Sequence, residues 1–370
     1  MIRFDLLTDD NLLDIFDFYV ISTSEEGTKA GIEAWQSLVQ VCRQWRSLVF
    51  GSPRHLDLRL FCTPKTPVRD ALDTWPALPL IVNGETNLAS GIDNVIAALG
   101  HSNRVCQLTL RDLKDRQLEQ ILAVTRVPFP ELTDLSLSSA NETLVIPDSF
   151  LGRSAPRLRS FDLSCIPCPG LPKLLLSANH LNSLLLLRIP RSGYISPEAM
   201  VALLSTLCSL ETLSLEFLYP PSRPDWETRS PPPPERSILP VLTNIFFQGA
   251  TEYLEDFVTM IDSPQLDFFE ISFFDQINYD TQRLAQFINR TVPKHIRHNK
   301  AHVEFVEWAT RVEFGLYEIY IPCKESDRQL SSVAQVFNPF LPLTVEDLYI
   351  EREVGHSELV WQNDAIENTL

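Results

Sequence analysis

The sequence predicts an α/β chain, with a short helical segment over residues 1–52 and a repeat array over 53–370. The array would carry a parallel sheet on its concave side and helices on its convex side. Three observations lead there. Apolar residues recur in steps of three and four through the first fifty positions. A unit of the form apolar-x-x-apolar-x-apolar then repeats along the chain, and stretches with helical spacing separate its copies.

Composition sets the bounds. The 370 residues suffice for two or three domains of ~150 residues or for one elongated array. A hydrophobic content of 44% with 21% charged residues fits a folded chain. The 27 prolines outnumber the 12 glycines, so the turns lean on a residue that stops helices and leads out extended. A net charge of −17 repels phosphate, which argues against nucleic acid and anionic membranes and for a basic or neutral protein partner. Seven scattered cysteines do not make a disulfide framework. The first residues lack the basic-then-apolar order of a signal peptide. The longest apolar stretch, 171–187, is interrupted by Pro172, Lys173, Asn179, His180 and Asn182, so no membrane span is expected. The expected compartment is cytoplasmic or nuclear, where the sequons at Asn141 and Asn289 have no use.

The first helix starts at a cap, Thr8 or Asp9, and places Leu12, Ile15, Phe16 and Tyr19 at helical spacing with Leu13 on the flank. A polar stretch over 22–31 follows. A second apolar face then runs through Trp35, Leu38, Cys42, Trp45 and Val49, with Arg43 and Arg46 opposite. Two such stretches bury little alone and need a neighbour. The residues leave two readings open: a cap on the array's end, or a docking module.

Seven copies of the repeat unit follow in order. They begin at Val105, Leu132, Leu158, Leu181, Leu210, Leu242 and Leu266, and a late copy begins at Val345. The middle apolar position advances by 27, 26, 23, 29, 32 and 24 residues, which brackets the period of leucine-rich repeats. The last two apolar residues of each unit alternate along a short strand and point inward, while the first enters from a turn. Stretches such as 93–99, 118–124 and 199–207 supply the helices behind the sheet. Further strands are expected at 56–60, 78–82, 303–305 and 316–321. The proline-rich segment 219–234 breaks the period as an exposed loop, either a tolerated insertion or a partner contact through Trp226.

The residues between the inward pairs should line the concave face: Thr109, Ser136, Asp162, Leu185, Ser214, Phe246, Glu270 and Tyr349, flanked by Asp134, Glu216 and Glu351. Leu185 and Phe246 are apolar where polar residues are usual. The expected substrate face comprises Asp134, Asp162, Leu185, Glu216, Phe246 and Glu270, a surface for a basic or amphipathic protein segment. Cover by the C-terminal tail or the proline loop is the competing reading.

Chemical constellations are sparse. The lone Cys165-x-x-Cys168 lacks a second pair for zinc. His295, His298 and His302 share helical spacing but sit among Lys294, Arg297 and Lys300, and read as a basic solvated segment. Serine-hydrolase, phosphate-loop and zinc-protease motifs are missing. No catalytic residue, metal or cofactor is expected.

The stretch Leu6-Leu7-Thr8-Asp9-Asp10-Asn11-Leu12-Leu13-Asp14-Ile15-Phe16, with Val41-Cys42-Arg43-Gln44-Trp45-Arg46 further on, resembles an F-box. Thr8 takes the usual proline position, and the 22–31 stretch lengthens the join between helices. Together with the repeat body, the chain resembles the leucine-rich-repeat F-box proteins abundant in fungi. The resemblance implies binding of a Skp1-like adaptor and, through it, a cullin complex. The contact set it implies is Leu6, Leu7, Leu12, Leu13, Ile15, Phe16, Leu38, Val41, Cys42, Trp45 and Val49, with Leu7, Leu12, Ile15 and Phe16 as solvent-facing anchors. The implied role is substrate recognition in a ubiquitin ligase, with no catalysis of its own. The alternative is a stand-alone leucine-rich-repeat scaffold whose N-terminal helices only cap the array.

Overall fold

The computed structural model describes residues 7–24, 33–65, 68–84, 91–220, 236–291, 300–315, 317–323, 326–340 and 347–352. Leu6, His295, His298, Val345, Trp226 and most of the proline-rich segment lie outside these ranges. The chain divides into two units, Met1–Leu158 and Arg159–Leu370, and the expected boundary at residue 52 falls inside the first.

Helix α1 (Asp9–Ser24) begins as its sequence dictates. The Thr8 hydroxyl accepts the Asn11 N–H at 3.3 Å, and Asp9 and Asp10 sit where the helix dipole favours negative charge. The second apolar face was expected to run as one helix but is broken into α2 (Trp35–Val41) and α3 (Arg43–Gly51). Cys42 is extended (φ −157°, ψ 170°), and its Sγ accepts the Trp45 N–H at 3.5 Å, the role of an N-cap. The break frees the Val39 carbonyl, which Arg46 Nε reaches at 3.0 Å. Trp35 is fully buried, donates Nε1–H to the Arg59 carbonyl at 3.0 Å, and meets Phe50 and Trp75 edge-on.

The rest of the first unit alternates strand and helix: β1 (Leu60–Cys62), α4 (Val68–Thr74), β2 (Leu80–Gly84), α5 (Ile92–Leu99), β3 (Val105–Leu113), α6 (Asp115–Val124) and β4 (Asp134–Ser139). The strands pair in parallel in chain order. Both early strands begin later than expected, β1 at Leu60 and β2 at Leu80. Leu56 and Leu58 are buried in a turn ahead of β1, and Leu78 lies ahead of β2.

The second unit holds β5 (Ser160–Ser164), α7 (Leu171–Leu175), β6 (Ser183–Ile189), α8 (Pro197–Leu204) and β7 (Thr212–Phe217). It continues with β8 (Ser237–Ile238), β9 (Asn244–Gly249), α9 (Thr251–Thr259), β10 (Ile261–Asp262), β11 (Phe268–Phe273) and α10 (Gln282–Thr291). The last described elements are β12 (Lys300–Val306), β13 (Ala309–Phe314), β14 (Tyr317–Pro322), α11 (Ser326–Phe337) and β15 (Asp347–Arg352). Within this unit the sheet order is β5-β6-β7-β9-β11-β14-β13-β12-β15, while β8 and β10 pair separately.

Five of the repeat copies are built the same way. The leading apolar residue is buried in the turn, as at Leu132, Leu181, Leu210, Leu242 and Leu266. The next residue donates its N–H to the equivalent carbonyl one repeat earlier. Thr133 donates to Cys106, Asn182 to Arg159, Glu211 to Asn182, Thr243 to Glu211 and Asp267 to Thr243, all at 2.8–2.9 Å. The strand then alternates, with one face fully buried and the other partly open. This is a mixed α/β fold with a parallel-dominated sheet.

The sheet departs from the expected all-parallel order at β12–β13 and β13–β14, which are antiparallel. Only Glu307 and Trp308 join the first pair, and Gly315 at φ 63° lies in the equally short second turn. A parallel crossover needs a dozen or more residues, so these strands form hairpins. The late repeat copy differs too: Leu348 and Ile350 of β15 are exposed rather than inward.

A buried carboxylate joins consecutive repeats. Glu255 of α9 accepts the N–H groups of Arg283 and Leu284, at 2.9 and 2.8 Å, and so caps the start of α10. Burial is the main cause that raises its pKa to about 7, opposed by those two hydrogen bonds and by Arg283, while Asp280 adds to the rise.

Candidate functional site

The predicted substrate face follows from strand alternation. Because Phe161, Leu184, Leu213, Ile245 and Phe269 point to the helices, their chain neighbours point away. In the second unit the register then aligns Asp162, Leu185, Ser214, Phe246, Glu270 and Glu318 in one row across the strands. Glu216 lies two residues further along its strand, beside Gln248. Five of the six predicted residues thus share one face, half-buried in each case. Asp134 belongs to the first unit, where Gln107 Nε2 and the Thr133 hydroxyl donate to its Oδ2.

Two kinds of chemistry meet on this face. Ser214 is buried between the Leu185 and Phe246 columns, and its hydroxyl lies 3.4 Å from Glu216 Oε1. Phe246 packs on Phe268 with ring centroids 5.5 Å apart. The acids behave as a crowded, partly dry set. Burial raises the Glu216 carboxyl above the usual range, Ser214 and Arg188 oppose this, and Glu270 and Asp162 add repulsion. Burial also raises Glu270, with repulsion from Glu318 added and Arg311 opposing. Arg311 pairs at 2.7 Å with both Glu313 and Glu318, and lies 3.9 Å from Glu304. Glu216 and Glu270 form no ion pair among the described residues. Sequence reasoning missed Phe268, Glu318 and Arg311. The first was legible as the outward residue two before Glu270, whereas the others belong to the unforeseen hairpins.

The N-terminal contact set divides sharply. Leu12 and Phe16, expected to face solvent, are only 2% and 1% exposed. With Val20 they form the inward face of α1, and the Phe16 ring lies 4.6 Å from that of Trp45. Leu38 and Val49 are buried as well, whereas Leu7, Leu13 and Trp45 are half-buried. The outward stripe of α1 is instead Ile15, Phe18 and Tyr19, at 48%, 74% and 38% exposure. Val41 and Cys42 are also exposed, at the end of α2 and the join to α3. Phe18 was missed because the leucine-rich pattern of α1 fits two adjacent helical faces, and only packing chooses between them.

Cys165 and Cys168 are buried free thiols. No group of three His, Cys, Asp or Glu residues there is arranged to hold a metal. His302 sits in β12 with Nε2 3.6 Å from Glu351. No described helix is long and apolar enough to cross a membrane. Compared with known families and with curated proteins, the chain matches no family model and no curated relative.

Proposed function

We propose that the chain is a substrate-recognition adaptor of a Skp1–cullin–F-box ubiquitin ligase, with an F-box-like segment over 1–52 and an irregular leucine-rich-repeat solenoid over 53–370. The observation that carries this reading is the exposed apolar stripe Ile15, Phe18 and Tyr19 on a helix whose other side is already packed. A residue as large and apolar as Phe18, left 74% exposed beside two others, marks an interaction surface better than a solvated one. The resemblance of Val41–Arg46 to an F-box supports the family reading, and the half-buried acids and apolar residues of the sheet face support a protein substrate there. On this reading ubiquitin transfer takes place on other subunits, and the chain contributes proximity in the cytoplasm or nucleus without a cofactor.

The test is binding between the full chain and a purified Skp1-type adaptor. Complex formation should be abolished by Ile15→Asp together with Phe18→Asp, with the circular dichroism spectrum unchanged. Absence of a complex with the unaltered chain would overturn the reading. It would leave the stand-alone scaffold, which the packing of Trp35 onto Arg59 and Trp75 favours by tying the helices to the first strands.

A further inference from the structure

We infer that the open sheet face of the second unit receives a basic, amphipathic segment of a partner protein. Apolar side chains of that segment would seat on Leu185, Phe246 and Phe268, with cationic ones opposite Glu216 and Glu270. The inference rests on the adaptor reading only in making this partner the substrate.

The spacing suits such a segment. Adjacent strands lie ~4.8 Å apart, so Phe246 stands ~5 Å from Glu270 and ~10 Å from Leu185. A chain lying across the strands meets an apolar position and an acidic one within a few ångströms. An amphipathic helix with Lys or Arg three or four residues from Leu or Phe offers the same repeat. Arg311 already pairs with Glu318 and Glu313, whereas Glu216 and Glu270 are partly desolvated and form no ion pair among the described residues. A cation there relieves repulsion at the same time as it adds attraction. Salt would weaken such contacts at the rim more than at the aromatic pair.

Charge also selects against two of the chain's own segments. The tail 353–370 carries Glu353, Glu358, Asp364 and Glu367 and no lysine or arginine. The proline-rich segment 221–235 has three acids to two arginines. A second copy of a chain at net charge −17 presents the same sign. Each of these meets like charge on the face.

The experiment uses the full chain and fluorescence anisotropy with short labelled peptides. One has the Lys/Leu helical pattern, one is its scramble, and one has Lys replaced by Glu. The patterned basic peptide should bind, the acidic one should not, and the scramble should bind weakly. Glu216→Gln with Glu270→Gln should weaken binding about tenfold and remove most of its salt dependence. Phe246→Ser with Phe268→Ser should weaken it by a similar factor, while Phe246→Leu retains binding and reports on folding. Equal binding of acidic and basic peptides, or affinity unchanged by the charge pair, would overturn the proposal. Tighter peptide binding after Lys294→Glu with Arg297→Glu would overturn it too, by assigning the face to the chain's own basic segment. Ile15→Asp with Phe18→Asp should leave peptide affinity intact, so a chain that takes the peptide but no Skp1-type adaptor refutes the adaptor role alone.

Discussion

The N-terminal helices and the parallel ladder of the second unit solve the same burial problem differently. The helices depend on a few large contacts. Trp35 is fully enclosed with one indole hydrogen bond, and Phe16 sits against Trp45. The ladder distributes its stability over equivalent small contacts, in which each repeat buries three apolar residues and its turn carbonyl accepts two N–H groups from the next. Concentrated stability is lost at a stroke, whereas distributed stability is lost repeat by repeat. The two regions also display different surfaces: an apolar helical stripe in one, mixed acids and aromatics in the other.

The largest expected effect comes from Trp35→Ala, which should cost about 3–5 kcal/mol by leaving a cavity and an unpaired Arg59 carbonyl. Hydrogen exchange should show α1–α3 opening while β6–β11 stay protected, and loss of protection in both regions would break the comparison. Leu213→Ala, at the buried face of β7, should cost about 3 kcal/mol. Its exchange signature should spread to β6 and β9 before β14, as expected when each repeat leans on its neighbours.

Next comes pH. The Glu255 pKa is raised to about 7 in the fold, against ~4.5 for the unfolded chain. The folded state therefore holds this proton more tightly. Stability from this group is full below pH ~4.5, falls as pH rises toward 7 and is flat above, a change on the order of 3 kcal/mol. Glu255→Gln should remove that slope in unfolding measured across the range, and a slope that persists would assign it to other groups. The smallest effect sharpens the contrast in surfaces. Phe18→Ser should shift stability by no more than about 0.5 kcal/mol, because the ring touches little of its own chain. A larger loss in thermal unfolding would show that the stripe is packed after all.

Legibility followed the same division. The repeat strands were readable because apolar-x-apolar admits one phase only: shifting Leu213 and Leu215 by one residue would bury Ser214 and Glu216 toward the helices. Phe246 and Leu185 were therefore placed on the open face from spacing alone. The helices were less readable. Leu12, Leu13, Ile15, Phe16, Phe18 and Tyr19 cover two adjacent faces of α1, so spacing could not tell anchor from core. The break at Cys42 was invisible because the apolar steps continue across it. The hairpins β12–β14 escaped because their short joins follow no repeat period.

What the sequence by itself determined is the alternation of strand and helix, the inward phase of each repeat strand and the acidic character of the chain. Those are local properties, set by side-chain period and by counting charges. Only the tertiary structure decided which side of α1 faces out, that Arg311 offsets Glu318 but not Glu216, and that Glu255 caps the helix of the following repeat. Each depends on which groups meet between separate elements, and packing, with the cost of burying charge, settles that choice where local pattern leaves it open.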